Sequence, residues 1–211
     1  MITLIIPITN RQGYENFKRS LVNLETDWHL GINVVCLVAD GNEKLLLECK
    51  KFLTENIDLG NCLVLHEKGD LYKKASLYIG LSDDYVFLAN ENVVIPLNAI
   101  TKLYADYLEY RGAGFITGVF EAYPTVYWVE DIYEDKDPRY IYSNERPLLD
   151  RIVEVDVSAT YGILTKSSLY RSLYCLHNHK KYGQLSYGIW LRRQGYKNYI
   201  DTTVKYGENK Q

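Results

Sequence analysis

The apolar positions of the chain fall into blocks of two kinds. Continuous runs without alternation cover Ile2–Pro7, Ile32–Val38 and Tyr85–Leu88. Branched and aromatic residues in unbroken runs mark strands buried on both faces. A shorter run over Cys62–His66 reads the same way. Between these runs the apolar residues recur at helical spacing. Phe17, Leu21 and Leu24 predict a helix from about Tyr14 to Leu24, and Leu45, Leu46, Cys49, Phe52 and Leu53 predict one over Glu43–Asn56. A third helix is predicted over Lys73–Leu81. Strand and helix in alternation predict an α/β fold with a parallel sheet and right-handed crossovers.

The second half has a different rhythm. Helices are predicted over Ile100–Tyr110, from Ser167 to Tyr174 behind serine caps, and over Leu185–Arg193, closed by Gly195. Strands are predicted over Phe115–Phe120, Val126–Val129, Ile152–Val157, Tyr161–Leu164 and Tyr199–Tyr206. Glu130–Asn144 is a polar connection carrying Glu130, Asp131, Glu134, Asp135 and Asp137 ahead of Pro138. A connection this long and charged reads either as a solvated mobile face or as a lid over an acceptor site.

Polar residues gather where the buried strands stop. The run Tyr85–Leu88 ends at Ala89-Asn90-Glu91-Asn92, and apolar residues resume at Val93-Val94-Ile95 before Pro96. A carboxylate and two amides at the end of a buried strand are costly unless they face a cleft or a ligand. In open α/β sheets, ligands bind beyond the carboxyl ends of the strands. Glu91 and Asn92 are therefore expected at the lip of a site; a plain polar turn is the other reading. The second strand likewise ends in a carboxylate on turn chemistry, Ala39-Asp40-Gly41-Asn42.

Composition narrows the class. The chain has 211 residues, 47% hydrophobic and 24% charged, which suits one domain with a substantial core. A formal net charge of -3 argues against general nucleic-acid binding. Cys36, Cys49, Cys62 and Cys175 form no CxxC pair, so neither a zinc ribbon nor a disulfide framework is expected, and a reducing, cytoplasmic setting fits. Cys36 reads as a small buried hydrophobe. The first residues, MITLIIPITN, lack the form of a signal peptide. No run approaches the roughly 18 apolar residues of a membrane span. The 20 tyrosines suit contact with a sugar or base and equally a packed surface.

Several pieces line up in order. Pro7 is followed by Thr9-Asn10-Arg11. The second strand ends in Ala39-Asp40-Gly41-Asn42, and Tyr85–Leu88 runs into Ala89–Pro96. Later come Val157–Lys166 with Gly162, the helix end Trp190-Leu191-Arg192-Arg193-Gln194-Gly195-Tyr196, and Ile200-Asp201-Thr202-Thr203-Val204. This order resembles the family-2-like glycosyltransferases of GT-A fold, within the nucleotide-diphospho-sugar transferases, over residues 2–208. The resemblance implies a single domain over 1–211, with a central, mostly parallel sheet flanked by helices. Residues 1–96 would form a nucleotide-binding half and 97–211 an acceptor half. It implies transfer of a sugar from a nucleotide-diphosphate donor to a carbohydrate or other hydroxyl acceptor. Pro7, Thr9, Arg11, Asp40 and Asn90 would touch the nucleotide, and a divalent cation, Mn2+ or Mg2+, would use Glu91, Asn92 and Glu208. Hard cations take oxygen ligands, and a cation on the diphosphate neutralises the leaving group.

The departures from that family are as informative. Ala89-Asn90-Glu91 stands where the family carries Asp-x-Asp, and Gly183-Gln184 where it carries an acid pair. No catalytic base is assigned; Asp156, Asp201, Asp131, Glu134, Asp135, His177 and His179 are the acceptor-half candidates. Cys175-Leu176-His177-Asn178-His179 reads as a surface loop or a partial zinc site. Lys73, Lys74, Trp128 and Trp190 each have a ligand reading beside a structural one: phosphate or solvent for the lysines, sugar stacking or core for the tryptophans. The alternative function is a catalytically degenerate GT-A domain that binds a nucleotide, glycan or protein without turnover. A nucleotidyltransferase is less favoured, since Ile8–Gly13 lacks the glycine-rich loop that would open it.

Overall fold

All seven residues of β1 (Ile2–Ile8) are buried, and their side chains divide between two layers. Ile2, Leu4, Ile6 and Ile8 join one apolar cluster and Ile5 the other. Successive residues of a strand face opposite sides, so a strand covered on both faces must be apolar throughout. β2 (Ile32–Ala39) repeats this, with Val34, Cys36 and Val38 on one side and Val35 and Leu37 on the other. The computed structural model describes residues 1–56, 62–69, 71, 74, 84–120, 125–130, 132, 139–158, 162–172 and 185–207.

The remaining elements are α1 (Arg11–Asn23), a 3-10 helix (Leu24–Leu30), α2 (Glu43–Asn56), β3 (Cys62–Glu67), β4 (Tyr85–Ala89), α3 (Ala99–Glu109), β5 (Ala113–Phe120), β6 (Val126–Glu130), β7 (Arg139–Tyr142), β8 (Ile152–Val155), β9 (Gly162–Lys166), α4 (Ser167–Ser172), α5 (Ser186–Arg193) and β10 (Lys197–Tyr206). Eight strands form one sheet in the order β3-β2-β1-β4-β9-β5-β10-β8. β2, β1 and β4 pair in parallel, as do β2 with β3 and β5 with β10; β9 and β8 run against their neighbours. The sheet is thus mostly parallel and flanked by helices, as expected.

Element boundaries moved for local reasons. The helix expected from Tyr14 begins at Arg11, because the side chain of Asn10 accepts the Gly13 N–H at 2.9 Å and caps it. β1 continues one residue past Pro7, which pairs with Leu37 beyond the last β4 contact, Ile5 with Leu88. The polar connection expected over Glu130–Asn144 is in part a strand: β7 pairs with β6 in a separate two-stranded sheet, Glu130 opposite Arg139. Its charged middle, and most of the helix expected over Lys73–Leu81, lie outside the described residues. β8 stops at Val155 because the Asp156 and Val157 amides turn to the Tyr127 carbonyl, at 2.8 and 3.1 Å. No helix among the described residues is long and apolar enough to cross a membrane.

Candidate functional site

The carboxyl ends of β1, β2 and β4 lie side by side, and the loops that leave them are stitched together. Thr9 donates twice to Glu91, its backbone N–H to Oε2 and its hydroxyl to Oε1, both at 2.6 Å. Asn16 on α1 donates to the Glu91 carbonyl at 2.7 Å. Asn42, after β2, donates to the Thr9 carbonyl at 3.1 Å. Asn90 is buried, and its side-chain oxygen accepts the Asn92 N–H at 2.8 Å, which tightens the turn after β4. Gly13 lies against this knot, where a β-carbon would come within 2.6 Å of Glu91 Oε2. The first turn of α1 thus faces the Glu91 carboxylate, in the arrangement a helix N-terminus favours.

One strand over, Asp40 stands exposed at the end of β2. Its N–H donates to the Glu67 carbonyl at 2.9 Å, and its carboxylate meets Lys68 at 3.4 Å and His66 Nε2 at 3.7 Å. His66 Nε2 also lies 3.1 Å from the Ala39 carbonyl oxygen. Ligand-type atoms of Asp40, Glu43 and His66 all lie within 4.8 Å of one another.

No family model matches the chain, and no curated protein matches it. Solved structures do match. A mannosyltransferase from Pyrobaculum calidifontis, PcManGT, in complex with GDP-Man and Mn2+, superposes with a TM-score of 0.66 at 12% identity, over 97% of this chain and 55% of its own. GalNAc-T7 with UDP, GalNAc and Mn2+ gives 0.64 at 14%, over 99% and 43%. The 4-diphosphocytidyl-2C-methyl-D-erythritol synthase of Anaerococcus prevotii gives 0.61 at 10%, over 98% and 87%. The chain has the GT-A-like fold of the nucleotide-diphospho-sugar transferases. At these identities the likeness establishes the fold, and this chain spans about half the length of the mannosyltransferase and less of GalNAc-T7.

Within this GT-A-like sheet the expected donor-side residues separate into groups. Thr9, Asn90 and Glu91 share one knot, with Asn92 exposed beside it. Asp40 makes none of these contacts; the loop that follows it reaches the knot through Asn42, which donates to the Thr9 carbonyl. Pro7 is inside β1. Arg11 is engaged elsewhere: its guanidinium pairs with Glu48 on α2 and with Glu15 at 3.1 Å, and lies over the Tyr14 ring. The hydrogen bond to Glu48 raises its pKa further. Ala89, at the family's first acid position, is buried in the core opposite Gly162 of β9. Glu208 lies outside the described residues; the carbonyl of the preceding Gly207 accepts the Val94 N–H at 3.3 Å, which brings the end of β10 to the β4 lip.

In the C-terminal half the two described base candidates have structural partners. Asp156 accepts from Arg192 Nε at 3.0 Å and from the Val129 N–H at 3.1 Å. Asp201 is fully buried on β10, and its Oδ1 accepts from the Thr203 N–H and hydroxyl at 2.8 and 2.7 Å. Asp106 of α3 is buried beside it, and Arg151 reaches both, at 2.5 Å from Asp106 and 3.8 Å from Asp201. Burial and the neighbouring Asp201 push the Asp106 carboxyl up to about 6. Burial opposes ionisation of Asp201 as well, but the Thr203 hydrogen bonds outweigh it and hold that carboxyl below its ordinary value. Asp131, Glu134, Asp135, His177, His179, Gly183 and Gln184 lie outside the described residues. Trp128 is core, its indole N–H donating to the Glu154 carbonyl at 3.2 Å; Trp190 stacks on Tyr187; Lys74 pairs with Glu67 at 3.0 Å.

Two of the solved structures hold Mn2+, so the donor atoms here were weighed against a divalent cation. Glu91 is one carboxylate, and each of its oxygens already accepts a Thr9 hydrogen bond; a carboxylate keeps further lone pairs. Asp40, Glu43 and His66 offer two carboxylates and an imidazole, a fuller donor set. Sequence reasoning singled out Asp40 but missed Glu43 and His66. The signal was present, since His66 ends the predicted third strand and a parallel neighbour brings strand ends together.

Proposed function

We propose that this protein is a transferase that uses a nucleotide-diphosphate sugar and passes the sugar to a hydroxyl acceptor. The observation carrying this reading is the convergence of Thr9, Asp40, Asn90, Glu91 and Asn92 on one sheet edge, at the carboxyl ends of β1, β2 and β4. That is where α/β sheets bind ligands. The fold is shared by two transferases and a synthase, so the reaction is read from the site. Asp40 receives the base or ribose through its exposed carboxylate. Thr9 and Asn90 border the diphosphate, with Pro7 shaping the strand end; Arg11 stands at the start of α1 and would reach the diphosphate only by leaving Glu15 and Glu48. Glu91, Asn92 and Glu208 serve a Mn2+ or Mg2+ ion, Glu91 through lone pairs that Thr9 leaves free. Such an ion neutralises charge on the diphosphate.

Calorimetric titration with UDP and with GDP, each with and without Mn2+, tests the proposal. One diphosphate should bind, more tightly with Mn2+, and Glu91→Ala should remove the Mn2+ enhancement. A second reading, a GT-A domain that binds without turnover, is favoured by the commitment of Glu91 to Thr9 and by Ala89 in the core. It predicts nucleotide binding indifferent to Mn2+. Absence of binding by either diphosphate at millimolar concentration would overturn the donor site.

A further inference from the structure

We propose that Asp40, Glu43 and His66 form a second cation site, selective for a borderline divalent transition metal such as zinc or cobalt. Three elements supply its donors. β2 and β3 pair in parallel with Val38 opposite His66 and Ala39 opposite Glu67, so the imidazole stands beside the residues that lead into Asp40. Gly41 turns the chain in the left-handed region, at φ 82°, and α2 begins at Glu43, whose carboxylate in the first helical turn comes back over the strand ends. The donor atoms lie within 4.8 Å of one another, which lets one ion reach all three with small side-chain movement.

The donor chemistry sets the metal class. Two carboxylates balance a dication, and an imidazole nitrogen suits zinc, cobalt or nickel, whereas magnesium prefers oxygen throughout. His66 Nε2 is 3.7 Å from Asp40 Oδ1 and 3.1 Å from the Ala39 carbonyl oxygen. Donors of a tetrahedral site with bonds of about 2.0–2.2 Å stand roughly 3.3–3.6 Å apart, so Nε2 and Oδ1 are already near ligand spacing. The Ala39 carbonyl accepts the Nε2 proton; an ion would take that proton's place, the proton moving to Nδ1, and Nε2 would then give the ion its lone pair. Lys68 meets the other Asp40 oxygen, Oδ2, at 3.4 Å, leaving Oδ1 toward His66. Asp40 and Glu43 are exposed and His66 is half-buried, so an ion enters from solvent.

The site shares Asp40 with the nucleotide reading, and its test uses no nucleotide, so either can fail without the other. Cobalt chloride alone is titrated into the protein and followed by visible absorption, with zinc chloride as competitor and calorimetry as a second measure. One equivalent of cobalt should bind, be displaced by zinc, and show no sulfur-to-metal charge-transfer band. His66→Gln and Glu43→Gln should each weaken binding roughly tenfold or more, and Glu55→Gln, an exposed carboxylate at the far end of α2, should leave it unchanged. Glu43 is exposed at a helix start, so its variant keeps the fold. Absence of cobalt and zinc binding at millimolar concentration, a thiolate band, retention in both His66→Gln and Glu43→Gln, or loss in Glu55→Gln would each overturn the site.

Discussion

Glu91 is held by two short hydrogen bonds from Thr9, and hydrogen bonds to a charged acceptor contribute about 1.5–3 kcal/mol each. Glu91→Ala leaves the Thr9 amide and hydroxyl without that acceptor. Water reaches this partly open knot and replaces part of what is lost, so the expected loss is below the sum of the two, about 1–3 kcal/mol in all, read from urea unfolding. Glu91→Gln keeps one carbonyl acceptor and should cost less. Gly13 gives a sharper test. In an open helix Gly→Ala stabilises by about 1 kcal/mol. Here the added β-carbon would stand 2.6 Å from Glu91 Oε2 and 3.0 Å from Glu91 Cβ. Gly13→Ala should therefore destabilise the native protein, and by less in the Glu91→Ala variant, which removes Oε2 but keeps the β-carbon, a difference that a double-mutant cycle measures. Additive effects would show that the two residues do not press on each other.

At the scale of elements, α3 lacks a cap of its own. Asn98, before its first residue, is in the left-handed region at φ 57° with no side-chain cap bond. The cap comes from the 3-10 helix instead: buried Asp27 accepts the Thr101 N–H at 3.0 Å and its hydroxyl at 2.5 Å. Asp27→Ala should cost about 1–2 kcal/mol, measured by thermal unfolding. The same helix carries Asp106, which joins Asp201 where β10 leaves its register: Asp201 pairs with Gly118, and the next pair is Lys205 with Val119. Oδ2 of both acids is buried with no donor, and one proton shared between the carboxyls satisfies the pair. Arg151 is the facing cation, with Glu109 nearby on the Asp106 side.

The sign of the pH effect follows from the direction of each shift. Asp106 keeps its proton in the fold up to about 6, whereas the unfolded chain releases it near 3.8, so its contribution to stability falls as pH rises between those values. Asp201 is held below its ordinary value, so its contribution is lost as pH falls through its folded pKa. Asp106→Asn offers Asp201 a donor at every pH. The melting temperature of the variant should therefore change less with pH than the native protein's across that window, and equal slopes would refute proton sharing.

For the molecule as a whole, one sheet carries both halves. β4, of the N-terminal half, pairs with β9, and β9 pairs with β5, both of the C-terminal half. The two halves should unfold together. Trp28 precedes the junction and Trp128 and Trp190 follow it, so tryptophan fluorescence and far-ultraviolet circular dichroism should give coincident urea transitions. Two separated transitions would mean that the halves are independent. The parts most legible in the sequence were β1, β2 and β4, because strands covered on both faces are apolar at every position. β7 was hidden by its short, half-exposed pattern and its charged surroundings.

The sequence alone determined the alternation of strand and helix, the apolar layers, and the polar residues waiting at strand ends. Backbone periodicity and burial act over a few neighbouring residues, so they leave a local trace. Which polar residues meet was decided by tertiary structure. Thr9 and Glu91 are 82 positions apart, and only the placement of β4 beside β1 brings them within 2.6 Å. Strand order likewise sets His66 beside Asp40, encloses Asp106 with Asp201, and turns Arg11 toward Glu48. Such contacts depend on strand order and register, and no spacing within a single element encodes them.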